Sequence, residues 1–234
     1  MDRRRRPSTA DTTMRRLLRD NGLSLVIGAV FLLLMMGQAL VGLKQYNEER
    51  SQWHEAPVGL AAYLGSGHFL EATAENWESE FLQMAAYVIL TAVLYQRGSA
   101  ESKRIGQSEA VDRDPRKSGG RRGAPWPVRR GGWVLWLYSN SLSLAFLLLF
   151  IFSVTIHAVG GARLYNEEQA AIGMAPVSVL QYVGGSRFWF ESLQNWQSEF
   201  LSLLSMVVLS IFLRQRGSPE SKPVDAPHHT TGSS

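Results

Sequence analysis

Uncharged apolar residues are concentrated in four runs along the chain, and these runs predict its secondary structure. Leu23–Leu43 spans 21 residues without a charge, and 142–161 is nearly as long. A helix over either run could cross a hydrocarbon layer about 30 Å thick. Residues 81–95 and 200–213 form two shorter uncharged runs. A soluble protein of this size seldom contains four such segments, so the pattern predicts an all-α integral membrane protein with four transmembrane helices.

The two shorter runs cannot cross the hydrocarbon layer alone. The 15 residues of 81–95 cover about 22 Å at a rise of about 1.5 Å per residue, so neighbouring polar residues must enter the membrane. Counting back about 20 residues from Arg97 and from Arg216 predicts membrane helices over about 77–96 and 196–215. Glu80 and Glu199 then lie near the outer edge of the hydrocarbon. The longer runs predict helices over about 23–43 and 137–161.

The segments before these second helices also have helical spacing. Phe69, Thr73, Trp77 and Phe81 form one stripe, which recurs in the second half of the chain from Phe188 to Phe200. Acidic residues lie on other faces, as is typical of amphipathic helices. We therefore expect two outer amphipathic helices that lie on the membrane surface before the chain turns in.

The chain contains an internal repeat. When it is shifted by 119 positions without gaps, 34 of the 86 residues from 18 to 103 are identical to their counterparts. Each unit contains two predicted crossings, so the units are tandem, parallel two-helix repeats related by an axis along the membrane normal. The repeat divides the chain into five parts. They are a basic cytoplasmic arm (1–17), repeat unit 1 (18–103), a basic disordered linker (104–132), repeat unit 2 (133–222) and a disordered tail (223–234).

Basic residues alternate along the chain in a way that predicts its orientation. The N-terminal arm, the linker region and the tail hold 20 of the 24 lysines and arginines, and the two intervening loops hold the other four. This distribution follows the positive-inside rule and predicts a multi-pass protein of the cell membrane with the N-terminus and C-terminus in the cytoplasm. The basic linker carries no groove-reading motif, so we expect it to contact the lipid bilayer and no nucleic acid.

The composition excludes several kinds of chemistry. The chain has no cysteine, which excludes disulfides, thiolate metal sites and cysteine nucleophiles. It contains no nucleotide-binding loop, nucleophile elbow or zinc-helix motif. His157 lies within a predicted membrane helix opposite Gln38 of the first unit, and we interpret it as a packing residue that forms a hydrogen bond. We predict no catalytic residue, no cofactor and no metal ligand set.

Polar residues shared by both units suggest one candidate site. An ionisable residue at membrane depth is a functional-site hypothesis, and the repeat makes Glu199 the natural partner of Glu80. The predicted outer acidic and polar cluster comprises Glu48, Glu49, Asn76, Glu80, Glu167, Glu168, Asn195 and Glu199. Such oxygen-rich groups suit hard cations or a shared proton. The alternative is that these glutamates are exposed or cap helix ends.

Three paired motifs carry a family resemblance. They are YNEE at 46–49 and 165–168, NWESEFLQ and NWQSEFLS, and QRGS-x-ESK at the end of each unit. Together they resemble a bacterial membrane protein family classified as a domain of unknown function. The resemblance implies a bacterial membrane location and the two-unit arrangement, and it supplies no activity or ligand.

Three classes of function remain open from the sequence. The first is a non-enzymatic envelope protein that acts through its outer segments on lipid, ions or an unidentified protein partner. That partner includes a second copy of this chain in a homo-oligomer. The second is a small ion or solute transporter or channel. The third is a metal-dependent membrane enzyme, which the lack of a repeated histidine beside the carboxylates disfavours.

Overall fold

The computed structural model describes residues 9–232, except for the side chains of residues 9–15 and 17. Residues 1–8 of the predicted basic arm, and the last two residues of the predicted tail, lie outside this description. All regular secondary structure in the described part is helical. The chain forms two compact units, one ending at Phe69 and the other beginning at Leu70.

Eight α-helices follow one another along the described residues. Their bounds are α1 Thr9–Gln52, α2 Leu60–Leu64, α3 Gly67–Val93, α4 Trp126–Arg130, α5 Gly132–Ser139, α6 Ser141–Ala171, α7 Val179–Val183 and α8 Ser186–Phe212. Two short 3-10 helices, Ala110–Asp112 and Pro115–Ser118, lie with α4 in the segment that we predicted to be a disordered linker.

In the part of the chain that the structure describes, two helical segments are long and apolar enough to cross a membrane. They are Leu18–Gln52, within α1, and Ser141–Ala171, which is α6. The apolar side chains of α1 are largely exposed, with Leu23 at 78% and Leu34 at 69% of their accessible surface.

Of the two longest helices, α1 begins earlier than predicted, whereas α6 begins at Ser141, a few residues after the predicted start at about 137. α1 extends back to Thr9, and only Asn21, with φ −126° and ψ 15°, departs from helical geometry within it. Its counterpart Asn140, with φ −115° and ψ 9°, separates α5 from α6. Asn140 Nδ2 donates a hydrogen bond to Trp136 O at 2.8 Å, so this side chain bonds back to the preceding helix.

The prediction of separate outer amphipathic helices before Trp77 and Trp196 was wrong. Each of these segments is the first part of one continuous helix, α3 or α8, and both helices have 27 residues. The physical reason lies in the composition of the segments. Neither helix contains a proline, and neither has a glycine beyond its first residue, so nothing interrupts the backbone hydrogen bonds where we expected a turn.

Matching residues make matching contacts after α1 and after α6. Asn47 exchanges two hydrogen bonds with the backbone of Val58, at 3.0 and 2.8 Å. Asn166 does the same with Val177, at 2.9 and 2.8 Å. In each case an asparagine at the end of the long helix fixes the loop that follows it.

A tyrosine packs onto a glycine in each of the same two places. A Cβ atom on Gly42 would lie 2.1 Å from Tyr63 Oη, and one on Gly161 would lie 2.4 Å from Tyr182 Oη. These glycines are therefore required because the tyrosine hydroxyl occupies the space of a side chain.

The QRGS-x-ESK motifs fold into similar turns at the ends of α3 and α8. Gly98 and Gly217 have φ values of 86° and 84°, which favour glycine. Lys103 Nζ donates to Ala92 O near the end of α3, and Lys222 Nζ donates to Ile211 O near the end of α8. A lysine at this position satisfies carbonyl groups that lack helical partners and complements the helix dipole.

Candidate functional site

A buried histidine lies at the centre of the candidate site. The buried residues of α6 include Ser153, His157, Gly160 and Leu164, whose spacing of three to four residues places them on one helical face. His157 is completely buried, and its ring stacks on Phe188 of α8 with 4.8 Å between ring centroids. Gly160 allows close packing, because a Cβ there would lie 2.8 Å from the backbone nitrogen of Glu71 on α3.

Glu78 and Trp196 orient the imidazole ring. His157 Nδ1 lies 2.8 Å from Glu78 Oε2, and Trp196 Nε1 donates to Glu78 Oε1 at 2.9 Å. An indole N–H can only donate, so the Glu78 carboxylate accepts on that side. In the ordinary carboxylate–imidazole pair the Nδ1–H donates to the other oxygen. This assignment leaves Nε2 as the nitrogen that faces the remaining carboxyl groups.

Two further carboxyl groups face Nε2 and share a tyrosine. His157 Nε2 lies 3.5 Å from Glu191 Oε2. Tyr182 Oη lies 2.8 Å from Glu191 Oε2 and 3.1 Å from Glu71 Oε1. A hydroxyl group has only one proton to donate, so Tyr182 can donate to only one of these two carboxyl oxygens at a time. The other close oxygen–oxygen contact needs a proton on the carboxyl group or a cation nearby.

Arg187 closes the site on its more exposed side. Its Nε donates to Glu191 Oε1 at 2.9 Å, and its NH2 group lies 3.8 Å from Glu71 Oε1. The same guanidinium forms a bidentate pair with Glu168, in which NH2 donates to Oε1 at 3.1 Å and NH1 donates to Oε2. One arginine therefore faces three carboxyl groups, those of Glu71, Glu168 and Glu191. The name His157 cluster is used below for His157, Glu71, Glu78, Tyr182, Arg187 and Glu191.

Burial and neighbouring charges change the acidity of these groups. Burial and the nearby Glu191 carboxylate raise the pKa of Glu71 to about 7, against the opposing effect of Arg187. Burial also raises the pKa of Glu75, which is next to the cluster on α3. For Glu191, burial acts to raise the pKa, but the hydrogen bond from Arg187 and the nearby imidazole of His157 outweigh it and lower the pKa. The two carboxyl groups that share Tyr182 therefore differ in their affinity for a proton.

Three residues of the cluster have the arrangement of a metal site. A carboxylate oxygen from Glu71, one from Glu191 and a ring nitrogen of His157 all lie within 4.8 Å of one another. The hydroxyl groups of two buried serines, Ser153 and Ser192, and His157 Nε2 find no hydrogen-bond partner among the residues that the structure describes.

Only some of the sequence-predicted residues are near this cluster. Glu168 pairs with Arg187, and the Asn195 side chain lies near Glu75. Glu80 is exposed and acts electrostatically on the partly buried Glu199, and neither residue belongs to the His157 cluster.

The other predicted residues have local roles. Asn76 Nδ2 donates to Ala72 O in its own helix at 2.8 Å, and Glu167 is exposed. In the first unit Glu48 lies 3.7 Å from Lys44 Nζ, and Glu49 accepts a hydrogen bond from Gln45 at 3.1 Å. These positions fit the alternative that such polar residues end or solvate helices.

Sequence reasoning missed the residues that form the His157 cluster because it favoured residues shared by both units. His157, Glu71, Glu78 and Glu191 are matched by Gln38, Phe190, Gln197 and Ala72. The available signal was the opposite one, ionisable residues present in one unit and replaced in the other. Tyr182 is shared with Tyr63 of the first repeat, but its carboxylate partners are not shared.

Over residues 9–232, the fold and the cluster define the class of protein, an all-helical chain with two helices able to cross a membrane and a buried site of histidine and carboxyl groups. The chain belongs to the family described as Domain of unknown function (DUF6766), whose model matches residues 14–233. Comparisons with curated proteins and with solved structures find no match.

Proposed function

We propose that this protein is a multi-pass protein of the bacterial inner membrane that works by binding a cation in its outer half, without catalysis. In this proposal α1, α3, α6 and α8 cross the membrane. Both termini and the 104–132 linker are cytoplasmic, and the loops after α1 and α6 are outside. The His157 cluster is the binding site.

The four-span arrangement is supported by helix lengths and by the exposed apolar surface. α3 and α8 have 27 residues each, which corresponds to about 40 Å and exceeds a hydrocarbon thickness of about 30 Å. Leu33, Leu148 and Leu204 are each more than half exposed. Apolar surface of this extent is typical of helices that face lipid. The positive-inside distribution of arginine and lysine supports the orientation.

The excess of buried carboxyl groups is the observation that carries the binding function. Glu71 and Glu78 are 6% and 0% exposed, and both belong to a cluster with one arginine. Burying a carboxylate without a compensating positive charge costs several kcal/mol or more. A bound cation would remove this cost at the point where Tyr182 lacks a second proton to donate.

The absence of cysteine from the sequence allows a clean test of the membrane arrangement. Single variants Ser51→Cys, Ala170→Cys and Ser108→Cys each introduce the only thiol of the chain. We expect a membrane-impermeant maleimide to label Cys at 51 and 170 in intact cells, and Cys at 108 only after permeabilisation. Labelling of position 108 in intact cells, or protection of position 51 or 170 until permeabilisation, would contradict the proposed topology.

Thermal unfolding in detergent tests cation binding. A ligand that binds only the folded state at about 100 times its dissociation constant stabilises it by about 2.7 kcal/mol. We expect at least one of calcium, magnesium, manganese and zinc to raise the Tm of the wild type and to have no such effect on the double variant Glu71→Gln, Glu191→Gln. The exposed Glu80→Gln variant is the matched control and should respond as the wild type does. If none of the cations shifts the wild-type Tm, the binding function is wrong.

Transport is a second candidate function, favoured by polar contacts that continue between α3 and the end of α8. Gln83 Nε2 donates to Ser202 Oγ at 2.8 Å, and the hydroxyl groups of Ser99 and Ser210 lie 2.9 Å apart. These groups follow Glu78 and Trp196 toward the cytoplasmic side of the proposed arrangement. Cation flux into liposomes that contain the wild type, abolished by Glu78→Gln, would support transport. A lack of flux under an imposed gradient would restrict the function to binding.

A further inference from the structure

We propose that the His157 cluster is a site for a divalent first-row transition-metal ion, such as Zn²⁺, bound by Glu71, His157 and Glu191. This inference rests on the proposed function in that the cluster must bind a cation, and it adds the chemical class of the ion and its ligands. Glu78 and Trp196 are positioning residues in the site, since they act through the imidazole.

The separation of the ligand atoms suits a small metal ion. Zinc bonds of about 2.0–2.1 Å in a tetrahedral arrangement set neighbouring ligand atoms roughly 3.4 Å apart. His157 Nε2 and Glu191 Oε2 are already 3.5 Å apart. The three ligand groups lie within 4.8 Å of one another, so small side-chain rotations bring the Glu71 carboxylate into the same coordination sphere.

The imidazole is held in the orientation that metal binding requires. Its Nδ1 faces Glu78 at 2.8 Å, and a histidine that binds a metal through one nitrogen usually donates its other N–H to a carboxylate. The free nitrogen, Nε2, is buried and makes no hydrogen bond within residues 9–232. It faces a carboxylate oxygen, so two electron-pair donors point at the same small region.

The mixture of nitrogen and oxygen ligands selects the kind of ion. Calcium and magnesium prefer sites made only of oxygen, whereas an imidazole ligand suits zinc, iron, nickel and copper. Three protein ligands leave the fourth position of a tetrahedral zinc ion for water. The hydrogen bonds of Arg187 go to Glu168 and to Glu191 Oε1, the oxygen that does not face His157. Its NH2 group is 3.8 Å from Glu71 Oε1, so Glu71 must turn from Arg187 toward the ion when it binds.

The test uses the full chain, purified in detergent and freed of metal. His228 and His229 are adjacent and could bind zinc by themselves, so every protein carries His228→Gln and His229→Gln. Zinc binding is measured by equilibrium dialysis, and the Tm is measured with and without zinc. The comparison includes this background protein, His157→Gln, Glu191→Gln and the exposed-residue control Glu80→Gln.

We expect one zinc ion per chain in the background protein and in the Glu80→Gln control. His157→Gln and Glu191→Gln should each lose this stoichiometric binding. Because His157 is buried, its variant is informative only if its metal-free Tm and its gel-filtration profile show a folded protein. Glu191 has a side chain that is 20% exposed, so its variant supplies the same test where His157→Gln does not fold.

The possible failures can be told apart. Suppose that calcium or magnesium stabilises the background protein, but that this protein binds no zinc, or binds zinc equally well after His157→Gln and Glu191→Gln. The assignment of a transition metal is then wrong, and the proposed cation-binding function stands. If no cation binds or stabilises the background protein, both are wrong. Zinc binding that survives in Glu191→Gln but is lost in His157→Gln would overturn the three-ligand assignment.

Discussion

Gly160 provides the sharpest test of how α3 and α6 pack around the cluster. A Cβ atom added there would lie 2.8 Å from Glu71 N and 2.9 Å from Leu70 Cβ. Comfortable contacts between such atoms begin near 3.5 Å, so the Gly160→Ala change requires the two helices to separate by roughly 0.5–0.7 Å. Glu71 N is a backbone atom and Leu70 Cβ is attached directly to the backbone, so neither can move aside by a side-chain rotation.

The expected magnitude is a balance of two effects. Overpacking a well-packed region costs about 1–3 kcal/mol, whereas replacing a helical glycine by alanine stabilises the helix by about 1 kcal/mol. Gly37→Ala is the matched control, because that glycine lies in α1 with no atom within 4 Å of an added Cβ. The difference between the two variants therefore isolates the overpacking term.

Thermal unfolding of the full chain in detergent measures this difference. At about 2–4 °C per kcal/mol for a chain of this size, Gly160→Ala should melt about 2–12 °C below Gly37→Ala. A Gly160→Ala protein that melts at the same temperature as Gly37→Ala, or above it, would refute the close approach of α3 and α6.

Three other changes have defined outcomes. Glu78→Gln should weaken zinc binding about 10–100-fold, as is typical when the partner of a metal-binding histidine is changed; equilibrium dialysis measures this, and unchanged affinity would exclude Glu78 as a positioning residue. Asn47→Ala and Asn166→Ala each leave the backbone of a following valine without its partners, so both should lower the unfolding free energy by about 1–3 kcal/mol, and clearly unequal losses in chemical denaturation would show that the two contacts are not equivalent. Lys222→Met removes a buried ammonium group that donates to Gly98 O, His228 O and Thr230 O, so limited proteolysis should cleave residues 223–232 faster than in the wild type; an unchanged cleavage rate would contradict the role of Lys222 in holding this segment.

The helical architecture could be predicted from the sequence because it depends on local patterns. Long uncharged runs predict α1 and α6, and the repeat predicts that features of one half return in the other. Asn47 and Asn166, with their valines, make the same contacts because identical residues at identical spacing have the same local options. The continuity of α3 and α8 could also have been predicted, since neither segment contains a helix breaker.

The candidate site could not be predicted in the same way because it depends on tertiary contacts between residues that the repeat does not share. Glu78 belongs to repeat unit 1 and His157 to repeat unit 2. Their counterparts in the other repeat are Gln197 and Gln38. The pairing of Glu78 with His157 requires the close approach at Gly160, a position occupied by Val41 in the first unit. Shared residues such as Tyr182 and Asn166 build the common scaffold, and the residues that differ give one half its buried charges.

X-ray absorption at the zinc edge shows whether the His157 cluster binds a transition-metal ion through its imidazole. The sample is the full chain in lipid nanodiscs, with His228→Gln and His229→Gln, loaded with one equivalent of zinc. We predict one imidazole and additional oxygen ligands at about 2.0–2.2 Å, with the imidazole signal lost in His157→Gln. A spectrum without an imidazole ligand, or one that His157→Gln leaves unchanged, would show that zinc is not bound by this cluster.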